Sequence, residues 1–243
     1  MIDLGLSPRI AEAGMKKKIL VIDIGGTHVK VMVSRAKKRK FKSGPDLTPQ
    51  QMVAQIKTTI ADWTFDAVSI GFPSPVRDGK IQSEPKHLGK GWVGFDFKKA
   101  LGKPIRLMND AAMQALGSYH GGRMLFLGLG TGLGSALVWK NNVLSLELGD
   151  LPYRDGRVIE DDLGKAGLLK LGEKQWKDEV ARAIAQLKKA LIADYVVLGG
   201  GNAKKLDALP PGVEPGYNRN AFLGGVRLWQ MDSRTARPKW CIL

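Results

Sequence analysis

The sequence predicts an α/β fold made of two similar lobes that face a shared cleft. Apolar runs typical of strands alternate along the chain with segments of helical spacing, which is the pattern of α/β proteins. A pair of apolar runs separated by a glycine turn occurs twice, at residues 19–34 and at residues 124–139. The chain has 243 residues, of which 44% are hydrophobic, so it is long enough to bury the cores of two lobes.

The N-terminal lobe is predicted over residues 16–108, after a flexible extension at residues 1–15. Residues 19–34 have the pattern of a strand, a glycine turn and a second strand. The segment TPQQMVAQIKTTIADW has helical spacing behind a Thr-Pro start signal. The segment DAVSIGFPSPV indicates a buried strand that runs into a proline-rich loop.

The C-terminal lobe is predicted over residues 109–230, and its last helix could pack back on the N-terminal lobe. The segment PIRLMNDAAMQALGSY predicts a strand that ends at Asn109 and Asp110 and continues as a helix. The segment EKQWKDEVARAIAQLKKALIADYVVLGGGNAKKL predicts a long amphipathic helix, a strand and a third glycine turn that enters a helix. Residues 231–243 are polar and basic, which predicts a mobile basic tail.

Cysteine content and hydropathy favour a cytoplasmic protein. The only cysteine is Cys241, which excludes a disulfide framework and a multi-cysteine zinc cluster. The first 18 residues include Asp3 and Glu12 and lack the apolar core of a signal peptide. No segment approaches the roughly 20 apolar residues that a membrane span requires.

The net charge of +15 favours an anionic partner such as a phosphate chain, a nucleotide, nucleic acid or an acidic membrane surface. The densest basic run is RAKKRKFK, residues 35–42. It is interpreted either as a solvated hairpin tip or as a surface that attracts a polyanion. Nucleic-acid modules usually interleave aromatic residues with the basic ones, and only Phe41 does so here, which argues against nucleic acid.

Glycine turns after strands can bind phosphates, because a backbone without Cβ atoms lets its N–H groups approach the anion. The segment LGLGTGLG contains G-x-G-x-x-G, but it leads into another apolar run rather than a helix, which argues against a dinucleotide fingerprint. Any one of these turns could be a plain hairpin. Three such turns, together with Asp23 and the strand-end pair Asn109 and Asp110, favour a phosphate-binding cleft.

Five segments resemble, in order along the chain, the motifs of one family. They are DIGGTHVK, MNDAAMQALG, LGLGTGLGSALV, ELGD and VVLGGGNAKKL. Together they resemble the ROK family of sugar kinases, and within it the polyphosphate glucokinase branch, over residues 18–229. The resemblance implies a two-lobed, actin-like (ribonuclease H-like) sugar kinase fold with the active site in the cleft.

The resemblance also implies roles for individual residues. Asp110 matches the family's general base, which accepts the proton of the attacking sugar hydroxyl, and Asn109 matches a sugar-hydroxyl ligand. Asp23 would hold Mg²⁺, directly or through water. The phosphate and cofactor contacts implied are Asp23, Gly25, Gly26, Thr27, Lys30, Gly130, Thr131, Gly132, Gly199, Gly200 and Gly201.

The sugar site departs from the family pattern. The family usually has Glu-x-Gly-His, whereas ELGD keeps Glu147 and has Asp150 in place of the histidine. His87 stands where the branch has a sugar-binding asparagine, and Glu160 falls near another sugar-contacting acid. The alternative is that His87 and Asp150 lie on surface loops. Because an ionised aspartate only accepts hydrogen bonds, we expect weak activity on glucose unless Asp150 is compensated.

The function expected is a sugar kinase that transfers a phosphoryl group from polyphosphate or ATP, with Mg²⁺, to the 6-hydroxyl of glucose or a related hexose. The alternatives are a ROK kinase for an amino sugar or a polyol, and a non-catalytic sugar-binding ROK protein. ROK transcription regulators carry an N-terminal helix-turn-helix domain, for which the roughly 18 residues before the first strand are too few. The partners expected are the sugar and the phosphoryl donor, without zinc, nucleic acid or membrane, and a homodimer is left open.

Overall fold

The computed structural model describes residues 17–217 and 219–243, in which the N-terminal half forms a five-stranded sheet and a short hairpin. The strands are β1 (Ile19–Ile24), β2 (His28–Met32), β3 (Lys38–Lys42), β4 (Ala67–Phe72), β5 (Val76–Arg77), β6 (Lys80–Ile81) and β7 (Ile105–Asn109). The sheet has the order β3-β2-β1-β4-β7, and β5 pairs only with β6. β1, β4 and β7 are parallel, whereas β2 and β3 are antiparallel to their neighbours.

The C-terminal half forms a six-stranded sheet with the same topology. Its strands are β8 (Arg123–Leu129), β9 (Leu133–Trp139), β10 (Asn142–Leu146), β11 (Tyr195–Gly199), β12 (Val213–Pro215) and β13 (Cys241–Ile242). Five of them have the order β10-β9-β8-β11-β12, with the same strand directions as β3-β2-β1-β4-β7. The repeated glycine hairpin in the sequence therefore corresponds to a duplicated lobe.

In the described residues, six α-helices cover the two sheets. They are α1 (Pro49–Thr59), α2 (Phe97–Leu101), α3 (Asp110–Ser118), α4 (Ile159–Leu163), α5 (Lys165–Ala190) and α6 (Arg219–Arg227). α1 begins at the predicted signal, because Thr48 and Gln51 form a capping box and Pro49 occupies the first helical position. α5 is interrupted at Gly172, where φ is +74° and ψ is 162°.

Three apolar cores place the sheets and helices in five layers. One face of the first sheet packs on α1, and its other face packs on α3 and α6. The second sheet packs one face on α3 and α6, and its other face on α5. Alternate residues of β1 face the two sides, with Ile22 in one core and Val21 in the next. The helices α3 and α6 therefore form the layer between the two sheets.

The middle layer depends on close contact between the backbones of α3 and α6. A Cβ atom at Gly117 would collide with the backbone of Asn220, and one at Gly224 would collide with the carbonyl of Met113. A Cβ atom at Gly225 would collide with Val21 of β1, so α6 also lies against the first sheet. Because α3 carries Asp110 at its N-terminus, this packing fixes the position of the predicted base.

Residues 231–243 are not the mobile tail that the sequence predicts. Cys241 and Ile242 pair with β10, and Trp240 is buried with its ring edge-on to Tyr119. The third glycine turn enters a short 3₁₀ helix, Asn202–Lys205, rather than an α-helix. The predicted extension at residues 1–15 lies outside the described residues.

Within residues 17–217 and 219–243, no helix is both long and apolar enough to cross a lipid bilayer.

Candidate active site

The carboxyl ends of the parallel strands open onto a cleft between the two lobes. β1, β4 and β7 end at one side of this cleft, and β8 and β11 end at the other. Open α/β sheets bind ligands at this edge, outside the carboxyl ends of their strands. The cleft has a volume of about 420 Å³ and is lined by residues of both lobes.

Most of the predicted site residues line this cleft. They are Gly25, Gly26, His87, Asn109, Asp110, Gly130, Thr131, Gly132, Glu147, Asp150, Glu160 and Gly200. The other five predicted residues do not line the cleft themselves. Thr27, Gly199 and Gly201 are next to lining residues in the chain, and Asp23 forms an ion pair with Lys30. The two glycine turns predicted from the sequence thus face each other across one space.

Asp110 is held at the end of β7 as the first residue of α3. Its Oδ1 accepts a hydrogen bond from the N–H of Ala111 at 2.7 Å. Burial raises the pKa of Asp110 to about 7, and the charges of Asp23 and Glu147 act in the same direction. A carboxyl group with a pKa near neutrality is well suited to accept a proton from a hydroxyl group and to release it later.

The raised pKa of Asp110 predicts a pH dependence of turnover. A general base must be ionised, so kcat/KM of the free enzyme should rise with pH and level off above a pKa of about 7. The measurement is kcat/KM for the sugar against pH at a donor concentration well below its KM, so that the free enzyme is the form that titrates. An ascending limb near pH 4, the ordinary range of an aspartate, would contradict the assignment of Asp110.

Asp23 and Lys30 form an ion pair beside the first glycine turn. The Nζ of Lys30 lies 3.0 Å from Oδ2 of Asp23, whose side chain is 7% exposed. Kinase sites usually hold Mg²⁺ with one or two carboxylates together with donor phosphates and water. Asp23, beside the first glycine turn, fits such a site. In the described part of the chain, no three His, Cys, Asp or Glu side chains are placed to hold a metal, so a cation here would depend on the donor's phosphates.

The first glycine turn is packed against the loop that carries His87. The N–H of Gly25 donates to the carbonyl of His28 at 3.0 Å and is therefore committed to the turn rather than available to a phosphate. A Cβ atom at Gly26 would lie 3.1 Å from the Cβ of His87. His87 therefore lies on an exposed loop that lines the cleft beside the first glycine turn, and its sugar role stays a prediction.

The second and third glycine turns are bound to each other. The side-chain amide of Asn202 donates to the carbonyl of Gly130 at 2.9 Å. Gly200 has a φ of +87°, and a Cβ atom there would collide with the backbone of Leu129. Only glycine fits a position with both constraints. The neighbouring Gly199 packs on the ring of Phe126.

Asn109, predicted to bind a sugar hydroxyl, caps α3. Its Oδ1 accepts from the N–H of Ala112 at 3.1 Å, and its Nδ2 lies 3.5 Å from the carbonyl of Ser74. The residue is only 6% exposed. The cap uses one of the two lone pairs of the amide oxygen, so the second lone pair and the weakly bonded Nδ2 group are the atoms that could contact a sugar. The sugar role of Asn109 stays a prediction.

The acidic residues of the predicted sugar site lie together, with a lysine that the sequence analysis missed. The Nζ of Lys86 lies 3.3 Å from Asp150 and 2.8 Å from Glu160. Burial raises the pKa of Glu147, and the charge of Asp150 raises it further. The one sequence signal for Lys86 is its position next to His87, which the sequence analysis had placed in the sugar site. Asp150 is thus an exposed residue that lines the cleft, and its sugar role stays a prediction.

Other cleft residues carry no pattern that would identify them from sequence. They are Ser74, Ser83, Glu84 and Gln114, which line the cleft as isolated polar residues.

Similar proteins support the fold and the family of this chain. A polyphosphate glucokinase of Mycobacterium leprae (strain TN) is 22% identical over 79% of this chain and 66% of its own length. The crystal structure of an inorganic polyphosphate/ATP-glucomannokinase from Arthrobacter sp. strain KM has a TM-score of 0.73, with 22% identity, over 86% of this chain and 96% of that chain. A ROK family glucokinase from Streptomyces griseus, in complex with glucose and AMPPNP, has a TM-score of 0.68, with 17% identity, over 86% of this chain and 98% of that one.

These structural similarities confirm the predicted two-lobed, actin-like sugar kinase fold. A family model described as the ROK family matches residues 19–149, which is more than half of the chain. The matched range contains the first two glycine turns, Asp110 and Glu147. The protein belongs to the ROK family.

Proposed function

We propose that the protein is a sugar kinase that transfers a phosphoryl group from polyphosphate or ATP to the 6-hydroxyl of glucose or a related hexose. The observation that carries the proposal is the position of Asp110. Its carboxyl group has a pKa raised to about 7 and faces a cleft lined by glycine turns of both lobes. One base beside two phosphate-binding turns is sufficient for phosphoryl transfer, which depends mainly on positioning and charge stabilisation.

In the proposed reaction the sugar lies between Asp110 and the acidic residues of the C-terminal lobe. Asp110 accepts the proton of the attacking hydroxyl while the oxygen attacks the terminal phosphorus of the donor. The bond from that phosphorus to its bridging oxygen breaks, which releases ADP or a polyphosphate chain shortened by one phosphate. The glycine turns hold the phosphates through their remaining backbone N–H groups, since those of Gly25 and Gly130 are bonded within the turns. Mg²⁺ would be held by Asp23, directly or through water, and would neutralise the charge of the phosphates.

A kinase for an amino sugar or a polyol is the second candidate. The amino sugar is favoured by the three carboxylates of Glu147, Asp150 and Glu160, which could bind its ammonium group. A non-catalytic sugar-binding protein is the third, because one fold can serve several functions. The retained carboxylates Asp23 and Asp110 disfavour it.

A coupled kinase assay that crosses a sugar panel with ATP and polyphosphate tests the proposal. The panel should include glucose, mannose, an amino sugar and a polyol, each with Mg²⁺. We expect turnover with at least one hexose and a 6-phosphate product, which nuclear magnetic resonance can identify. Sugar binding without turnover by either donor would overturn the proposal in favour of a binding protein.

Strand register supports polyphosphate as a donor. Lys30 on β2 lies opposite Asp23 on β1 and opposite Lys40 on β3, and Lys42 lies opposite His28. Directly opposite residues project from the same face of a sheet. A row of lysines therefore runs along one face of the sheet from Asp23 toward β3 at the edge, formed by Lys30, Lys40 and Lys42. Such a row could contact a polyanion that is longer than ATP.

The register also corrects the interpretation of residues 35–42 as one basic surface. Arg39 projects to the opposite face of the sheet, where its guanidinium forms two hydrogen bonds with Asp62, at 2.5 and 2.9 Å. It also stacks over the ring of Trp63. Arg39 thus has a structural role against the end of α1 and is excluded from the proposed donor path.

The position of Lys40 and Lys42 on the Asp23 face of the sheet predicts how salt affects the use of polyphosphate and of ATP. The KM for polyphosphate should rise more steeply with salt than the KM for ATP. Replacing Lys40 and Lys42 with alanine should flatten that slope by about 0.7 log unit per lost contact per decade of salt, by analogy with single-stranded nucleic acids. The measurement is KM for each donor against salt concentration at fixed Mg²⁺.

A charge-matched control uses the same hairpin. Replacing Arg35 and Lys37 with alanine removes the same charge from the tip, so the slope for polyphosphate should stay as in the wild type. Parallel slopes for the two donors, or no turnover with polyphosphate at any salt concentration, would leave ATP as the donor. The basic run would then be a solvated hairpin.

A further inference from the structure

The loop that carries Lys86 is fixed in place on the N-terminal side of the cleft. The hydroxyl of Ser74, which follows β4, donates to the carbonyl of Ser83 at 2.7 Å. The carboxylate of Glu84 accepts from the backbone N–H groups of Trp92 and Val93 at 3.1 and 3.2 Å. Trp92 itself is fully buried. These hydrogen bonds fix the backbone of the loop, so the position of Lys86 at the cleft is set by the fold.

Lys86 spans the cleft to reach two carboxylates of the opposite lobe. Glu160 is 26% exposed in its side chain, packs against Gly132 and Gly149, and accepts from the N–H of Leu133. Asp150 is more exposed, at 57%. Lys86 therefore joins the N-terminal lobe to the second glycine turn through a carboxylate that is itself fixed.

The ammonium group retains capacity for a ligand. It has three N–H donors, of which two go to Asp150 and Glu160 in the described part of the chain. The side chain is 65% exposed toward the cleft that contains Asp110 and Glu147. A sugar hydroxyl in this space can therefore donate to the carboxylates and accept from Lys86.

The pairing of Lys86 with Asp150 supplies the hydrogen-bond donor that the aspartate itself lacks. An ionised aspartate cannot donate a hydrogen bond, but an aspartate beside an ammonium group offers an acceptor and a donor in one place. Without Lys86, the subsite would hold the carboxylates Glu147, Asp150 and Glu160 with no cation among them. Such a site would favour a positively charged ligand over a neutral one.

We infer that Lys86 is a specificity-determining residue of the sugar subsite, which donates to a sugar hydroxyl and selects a neutral hexose over an amino-hexose that carries an ammonium group. The inference rests on the proposed function and names its substrate class. The ammonium group of an amino-hexose would compete with Lys86 for the same carboxylates.

The test compares glucose with glucosamine, at a pH where the amine is protonated, in the wild type and in Lys86→Met. The readouts are association constants from calorimetry and kcat/KM for each sugar. In Lys86→Met we expect the glucosamine-to-glucose ratio to rise roughly 2- to 5-fold, the size that a partly exposed ion pair supports. Lys86→Arg, which keeps the charge, should restore a ratio near that of the wild type.

Lys90→Met is the matched control, because it removes the same charge from the same loop. It should leave the ratio unchanged, and thermal unfolding should show all variants folded. A ratio in Lys86→Met equal to that of the wild type, or an equal loss for both sugars, would overturn the inference and leave Lys86 a structural residue.

The binding readout separates this inference from the proposed function. Turnover by the wild type with an unchanged ratio in Lys86→Met overturns only the inference. Binding of the two sugars without turnover overturns the proposed function, while the ratio of association constants still decides the role of Lys86. A wild type that binds neither sugar overturns the inference, whereas the proposed function is overturned only when no hexose of the panel is phosphorylated.

Discussion

Asp110→Asn should lower kcat roughly 10²- to 10⁴-fold, the usual contribution of a general base. The substitution is close to isosteric, and its amide oxygen can still accept from the N–H of Ala111. What is lost is the ability to take up a proton from the attacking hydroxyl. Sugar binding should change much less than kcat, because the hydrogen-bonding shape of the side chain is kept. Steady-state kinetics with a saturating donor would measure both.

The same variant should be at least as stable as the wild type above pH 7. Asp110 has a folded-state pKa raised to about 7, so between its ordinary pKa and 7 the folded protein binds the proton more tightly than the unfolded chain. Stability from this group is therefore lost as pH rises through that window, and asparagine avoids the loss. Asp46→Asn, on an exposed loop, is the control. Near-wild-type turnover of Asp110→Asn would remove Asp110 from the mechanism.

Gly224→Ala should lower the free energy of unfolding by about 2 kcal/mol or more, as an overpacked helix contact does. The added Cβ atom would collide with the carbonyl of Met113 on α3, and a backbone atom cannot move aside by changing rotamer. Helix propensity alone would favour alanine by about 1 kcal/mol, so a net loss measures the clash. Urea unfolding of the variant and the wild type gives the comparison.

A second glycine provides the control for this packing. Gly201 has a φ of −66° and a ψ of −37°, and nothing lies within 4 Å of its added Cβ atom. Gly201→Ala should therefore change stability little. Because α3 carries Asp110, Gly224→Ala should also lower kcat. An unchanged free energy of unfolding in Gly224→Ala would contradict the close approach of α3 and α6.

The sequence predicted best those features that depend on short local patterns, such as the repeated glycine hairpin. Two apolar runs around a glycine turn predict a hairpin wherever they occur, and their duplication predicted the two lobes. The position of Asp110, after an apolar strand and before a helix, placed it at a strand's carboxyl end. Each of these features depends on a few neighbouring residues, so each can be recognised without knowledge of the rest of the fold.

The features that the sequence did not reveal depend on distant contacts. Lys86 meets Asp150 and Glu160 only because the two lobes face each other, and no local pattern specifies that pairing. Arg39 lies within a continuous basic run, but its face is set by strand register and its partner Asp62 follows α1. The C-terminal strand looked like a polar tail because only two residues, Cys241 and Ile242, pair with β10.

The central claim is that a sugar hydroxyl lies against Asp110 in the cleft between the lobes, with the donor phosphates at the glycine turns. A crystal structure of the protein with glucose, Mg²⁺ and a non-hydrolysable ATP analogue measures this directly. The account predicts the 6-hydroxyl within about 2.6–3.2 Å of the Asp110 carboxylate, the reach of a general base, and on the side facing the terminal phosphate. A sugar bound with no hydroxyl near Asp110, or a nucleotide bound away from both glycine turns, would contradict it.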